Sequence, residues 1–316
     1  MKLPVLKIGG LQPKYPIIQG GMAVRISTAP LAAAVANAGG IGLIAASGMD
    51  EGELRQEIRR ARENSDGIIG INIMFAVSKF AQLVNAALEE GIDLIIQGAG
   101  FSRDIFKWCS DAKTPLVPIV ATAKLAKVSE SLGAAAVVVE GKEAGGHLGT
   151  LESMRSVLPL VKKAISIPAI AAGGIITAID LKEVFALGAD GVQMGIRFAA
   201  SLESNAAENL KKVYVEAKAK DIVLIDSPVG LPGRAIRNEF SEKINNPDYD
   251  LSPENCVGCL KRCKQNFCIM DALINAQEGK LADGLIFSGE YIEKIKEILP
   301  AGEIIKKLVE DYQQLE

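Results

Sequence analysis

Eight short apolar runs recur between residues 16 and 195, each separated from the next by enough chain for a turn or a helix. They are PIIQGG (16–21), IGLIAA (41–46), IIGINIMF (68–75), LIIQGAG (94–100), PLVPIVA (115–121), AAVVVEG (135–141), PAIAAGGI (168–175) and GVQMG (191–195). The runs are nearly continuous in apolar residues, as parallel strands covered on both faces must be. Segments between them, such as STAPLAAAVANAGG, LRQEIRRARENSDG and KLAKVSESLGA, place apolar residues at helical spacing and end at or near glycine, a good helix stop. Eight such units predict an α/β fold, a (β/α)8 TIM barrel. A doubly wound sheet is the rival. It asks for a G-x-G-x-x-G fingerprint after the first strand, and PIIQGGMAVR lacks one.

After about residue 225 the rhythm breaks. SPVGLPGRAIRNEF and SEKINNPDYDLSPEN are loop-like, and then come IMDALINAQEGK and a last amphipathic stretch from about 290 to 316. This divides the chain into a barrel, 1–224, and a C-terminal cap segment, 225–316, expected to pack on the barrel mouth. The net charge is −3 with both signs mixed along the chain, so nothing marks a nucleic-acid surface or a membrane anchor. MKLPVLKIGG lacks the apolar run of a signal peptide, and no apolar run approaches the ~20 residues of a membrane helix. A cytoplasmic protein is expected.

Barrels carry function at the C-terminal ends of their strands, often with phosphate bound after strands seven and eight. AAGGI ends the seventh run and GVQMG the eighth. Without a Cβ at Gly173, Gly174 and Gly195, backbone N–H groups can approach an anion. A tight turn alone would also account for the glycine pair. Asn72, at the end of the third run, suits a ligand edge that both donates and accepts, or a strand-end turn.

PIIQGGM, LAAAVANAGGIGLI, GINIM, EGKEAGGH, IPAIAAGGI and GADGVQMGIRFAAS stand in this order. In that order they resemble the nitronate monooxygenase (2-nitropropane dioxygenase) family, which includes the flavin-dependent enoyl-ACP reductases. The resemblance covers roughly residues 13–240. It implies a barrel carrying FMN. It places Gly21, Met22, Asn72 and Gly145 beside the flavin ring, with Glu140 and Gly146 in the same strand-six segment. It assigns Gly173 and Gly174 to one phosphate loop and Gln193, Met194, Gly195 and Ile196 to the other. Two departures stand out. The family usually has threonine where this chain has Ile196, which removes a hydroxyl from the phosphate. Glu140 stands where many nitronate monooxygenases have glutamine and where the reductase branch commonly has glutamate.

His147 is the only histidine. Imidazole titrates near neutrality and suits proton transfer. The resemblance makes it the catalytic acid/base or orienting group, with Glu140 and Glu143 near enough in sequence to tune it. A backbone-satisfied structural histidine is the plain alternative. Cys256, Cys259, Cys263 and Cys268 are spaced C-x2-C-x3-C-x4-C. Thiolates so spaced can hold Zn2+ or an iron–sulfur cluster, or remain reduced structural thiols. Arg234 and Arg237 are candidates for a nucleotide phosphate or a phosphopantetheine arm, or for solvated loop charge.

Two activities follow from the resemblance. The first is oxidation of alkyl nitronates with flavin and oxygen, His147 serving as acid/base. The second is reduction of an enoyl thioester with NAD(P)H as co-substrate, the substrate being carried by acyl carrier protein. A non-catalytic flavin- or metal-binding module is the remaining class. A homodimer is the candidate assembly.

Overall fold

A computed structural model describes residues 1–315. Its eight parallel barrel strands are β1 (Ile17–Gln19), β2 (Ile41–Ala45), β3 (Ile68–Met74), β4 (Leu94–Gly98), β5 (Leu116–Val120), β6 (Val137–Glu140), β8 (Ala169–Ala172) and β9 (Gly191–Met194). A two-residue strand, β7 (Gly146–His147), lies between β6 and β8 in the chain but outside the barrel. The sheet closes where β9 pairs with β1, Ile18 opposite Gln193. Closure excludes the doubly wound alternative. The strands are shorter than the apolar runs because the last residues of each run, glycines in several, turn away into the mouth loops.

The period-two alternation of strand side chains, with both faces covered, explains why polar residues are few and gather toward the strand ends. Ile18, Leu43, Ile96, Val117, Val138 and Ile170 fill the barrel interior. Their neighbours Ile17, Ile44, Ile95, Val139 and Ala171 face the helices. Leu6 and Ile8 of the N-terminal segment join the interior cluster, a plug that the strand pattern did not announce. Several helix starts are capped by side chains. Asp50 accepts from Glu53 N–H, Thr122 from Leu125 N–H, and Thr177 forms a capping box with Asp180.

The closest backbone approach in the wall is at Gly42, midway along β2. A Cβ there would lie 1.9 Å from the Ala32 carbonyl oxygen of the Ala29–Asn37 helix.

The terminal helix differs from expectation. Pro300 precedes it, so it runs over Ala301–Gln314 and not from 290. It packs on the Ala29–Asn37 and Ala178–Ala186 helices, burying Ile304, Ile305, Leu308 and Tyr312. It completes the outer wall, not the mouth. The remaining C-terminal residues do cross the mouth. β10 (Ile222–Asp226) and β11 (Pro232–Ile236) form a hairpin, and β11 pairs with β7. Among the described residues no helix is long and apolar enough to cross a membrane.

Candidate active site

A cavity of about 250 Å³ opens where the barrel strands end. Gly21 and Met22 reach it from β1, Asn72 from β3 and Glu140 from β6. Gly145, Gly146 and His147 enter on the loop after β6. Gly173 and Gly174 follow β8, and Gln193, Met194, Gly195 and Ile196 come from β9 and the short helix after it. All thirteen barrel residues singled out from the sequence therefore border one space. Gly173 and Gly174 have φ of 104° and 68°, a left-handed backbone that a residue with a Cβ adopts only under strain.

A second cavity of about 290 Å³ adjoins the first and shares His147, Ala23, Ser47, Met74 and Leu273 with it. Its walls are mainly apolar, with Val24, Met49, Val77 and Leu83 from the barrel and Leu260, Ile269 and Met270 from the cap. Arg25, Asp50, Glu53 and Lys79 bring charge to its border, two of them tied as an Arg25–Glu53 ion pair at 2.6 Å.

His147 stands between the two spaces. Its backbone is fixed by pairing with Gly233 of β11. Nε2 lies 2.8 Å from Ser227 Oγ, and the ring meets Phe287 edge-on at 5.1 Å between centroids. Burial pushes its pKa down to about 4, so the imidazole is neutral at pH 7. The neighbouring glutamates are not the cause. Glu143 is occupied, accepting from Ser153 Oγ and from Met154 N–H. Ser227, fully buried, was invisible in the sequence, lying 80 residues from its partner with no periodic or motif signal.

Burial pushes Glu140 the other way, up to about 7. In the unfolded chain Glu140 ionises near 4.5, whereas the folded chain holds its proton to about pH 7. Its contribution to stability therefore falls as pH rises through that window. His147 protonates near 6.5 when unfolded and only near 4 when folded, so its contribution is lost as pH falls through that range. Each slope is about 1.4 kcal/mol per pH unit, and the two cancel between roughly pH 4.5 and 6.5. Relative to the parent, E140Q is expected to lose urea stability as pH falls from 6.5 to 4.5. H147N is expected to lose it as pH rises over the same range. Parallel profiles for parent and both variants would refute these assignments.

Other expectations are corrected. Arg234 is not free for a phosphate: Nε and Nη2 both donate to the Lys142 carbonyl at 3.1 and 2.8 Å. That clamp ties β11 to the loop carrying His147. Arg237 lies away from both cavities, 4.0 Å from Glu242. Cys109 is buried on its helix, its thiol pushed up to about 12 by burial. The four cap cysteines are reduced. Cys256 is exposed, and Cys259, Cys263 and Cys268 are half-buried. Among the described residues no three His, Cys, Asp or Glu side chains are arranged to hold a metal ion. The Zn2+ site suggested by the spacing is therefore not formed, because the segment runs as an open loop with Cys256 on its outer side.

The sequence matches the nitronate monooxygenase family model over residues 6–311. The chain belongs to that family. Its relatives include a probable nitronate monooxygenase of Staphylococcus saprophyticus, 32% identical, with 79% of this chain and 85% of that protein covered. An octahydroindene-carboxyl-CoA dehydrogenase of Mycobacterium tuberculosis is 30% identical, with 77% and 68% covered. Among solved structures, FabK from Thermotoga maritima superposes with a TM-score of 0.86 at 33% identity, covering 96% of this chain and 94% of that one. The protein is thus an FMN-dependent oxidoreductase of the nitronate monooxygenase family. The cavity suits that cofactor. Gln193 Oε1 is buried there without a hydrogen-bond partner, and a bound ribityl hydroxyl or ring N–H would satisfy it. The glycine loops after β8 and β9 present backbone where a phosphate would sit.

Proposed function

We propose that the protein reduces an enoyl thioester at the expense of NAD(P)H. One observation carries this reading: the apolar second cavity that meets the first at His147. A small nitronate needs no such space, whereas an acyl chain would fill it with Met49, Val77, Leu83 and Met270 as its walls. The likeness to FabK and to a carboxyl-CoA dehydrogenase supports the choice, and so does the glutamate at position 140, half-buried at the end of β6.

Bound FMN would supply the redox chemistry, passing a hydride equivalent from nicotinamide to substrate. Asn72, Gly21 and Met22 would hold its ring edge, and Gly173, Gly174, Gly195 and Ile196 its phosphate through backbone N–H groups. Neutral His147 would donate a hydrogen bond to the thioester carbonyl and so stabilise negative charge developing on that oxygen. Ser227 and Phe287 hold the imidazole in place for this. Burial of the ring would strengthen that bond, because a hydrogen bond is stronger in a medium of low polarity.

The nitronate reading is the second. It is favoured by the relatives named as probable nitronate monooxygenases. In it the neutral imidazole would donate a hydrogen bond to the nitronate oxygens, or accept the α-carbon proton where the neutral nitroalkane is bound first. Anaerobic absorbance measurements on FMN-loaded protein separate the two. Bleaching by NADH or NADPH, followed by reoxidation with crotonyl thioester, is the expected result. Bleaching by an alkyl nitronate with no response to either nicotinamide would overturn it.

A further inference from the structure

Behind the glycine turn after β8 stands a buried carboxylate whose close counter-charge comes from the cap. Asp180 lies in the first turn of the Ala178–Ala186 helix and is 2% exposed. Its Oδ2 accepts from Ile176 N–H at 3.0 Å, from Thr177 N–H at 2.8 Å and from Thr177 Oγ1 at 2.9 Å. These donors belong to the same turn as Gly173 and Gly174. Oδ1 accepts from the Lys294 ammonium at 2.6 Å. Arg155 Nη2 stays 3.9 Å from Asp180 and pairs with Glu183 at 2.7 Å instead. Burial works against the Asp180 anion, but Lys294 and the N–H donors outweigh it and hold the carboxyl below its ordinary range. The group is therefore ionised at neutral pH.

A strap of cap residues, 287–294, delivers Lys294 to this place. Phe287 bridges to Ala235, Ser288 N–H donates to Arg234 O at 3.2 Å, and Glu290 N–H donates to Glu143 O at 3.0 Å. Phe287, Ser288, Gly289 and Tyr291 border the first cavity. The Tyr291 ring lies on the turn, since a Cβ added at Gly174 would come 2.8 Å from two of its carbons. Lys294 Nζ is 4.8 Å from the centre of that ring. Glu143 crowds the same side, its Cβ 3.1 Å from the position of that added Cβ. With Glu143, Asp180 and Glu183 against Arg155 and Lys294, carboxylates outnumber cations around the turn.

We propose that Lys294 is the residue that lets this turn accept the phosphate of FMN, by cancelling the charge of Asp180. A phosphate monoester carries about −1.5 to −2 at pH 7. A bare carboxylate held behind the same turn would repel that charge at short range, where burial screens it poorly. Lys294 acts through Asp180 and so is a positioning residue. Riboflavin shares the ring and ribityl chain but lacks the phosphate, so its binding is indifferent to the pair. The Lys294–Asp180 pair therefore sets the preference for FMN over riboflavin. The inference rests on FMN as the cofactor and is independent of which substrate the flavin serves. No local pattern announces it, because the partners stand 114 residues apart.

The test uses full-length, FMN-loaded protein equilibrated with riboflavin at rising concentration. The bound flavins are released, separated and quantified, which gives the ratio of the two affinities. The parent is expected to prefer FMN. K294M keeps the side-chain stem over Tyr291 but removes the charge. Its preference for FMN is expected to fall about tenfold, the scale of one charge-assisted hydrogen bond. K294Q carries the same test if K294M does not fold. The double variant D180N/K294M removes both charges and is expected to regain the parental preference, which a purely mechanical fastening of the strap would not allow. Parental preference in K294M, including a protein that releases both flavins alike, would overturn the proposal. So would a double variant no better than K294M. A parent with no preference for FMN would overturn the phosphate assignment and this role of Lys294 with it.

Discussion

H147A is expected to lower turnover by about 10²–10⁴-fold while FMN remains bound. No other histidine exists to take over, and the ring is held by Ser227 on one side and Phe287 on the other. Its removal leaves the glycine-edged loops after β8 and β9 untouched, so the flavin spectrum should survive. The loss should be confined to one half of the cycle. Flavin reduction by nicotinamide should run at the parental rate, since His147 is proposed to act on the thioester. Reoxidation by crotonyl thioester should carry the whole deficit. Stopped-flow absorbance of the two half-reactions measures this split. Unchanged reoxidation would remove His147 from the chemistry, and equal loss in both halves would point to a damaged flavin site.

G42A should cost about 3 kcal/mol of stability, the upper part of the range for overpacked interiors. The added methyl would sit 1.9 Å from the Ala32 carbonyl oxygen. That atom belongs to helix backbone and cannot rotate away. The Ala29–Asn37 helix must back off from β2, loosening the packing of its Ala32 and Ala36 in the core cluster they share with Ile44. Urea denaturation should show a lower midpoint at unchanged slope. G10A is the control, because nothing lies within 4 Å of its added Cβ, and its midpoint should stay near the parent's. A parental midpoint for G42A would mean that the helix sits farther from the sheet than described.

Much of the barrel was legible from local chemistry. Strands buried on both faces must be apolar throughout, and helices between them must show one apolar stripe. Both patterns are properties of neighbouring residues, so periodicity exposes them. The thirteen cavity residues were legible for a related reason. Parallel strands all end on the same side, so whatever terminates each run must gather at one mouth. The terminal helix was misplaced because an amphipathic stripe reports that a helix is buried and not against what. Ile304, Ile305 and Leu308 serve a barrel wall as readily as a cap.

The sequence by itself determined the closed parallel barrel, the glycine-edged mouth and the entry of the lone imidazole into it. These follow from spacing along the chain. Only the tertiary structure decided that His147 is neutral, that Ser227 is its partner and that Arg234 is consumed by the Lys142 carbonyl. It alone showed a second apolar cavity meeting the first at the imidazole. Those facts depend on desolvation and on contacts between segments some eighty or more residues apart, and neither leaves a trace in the order of neighbouring residues.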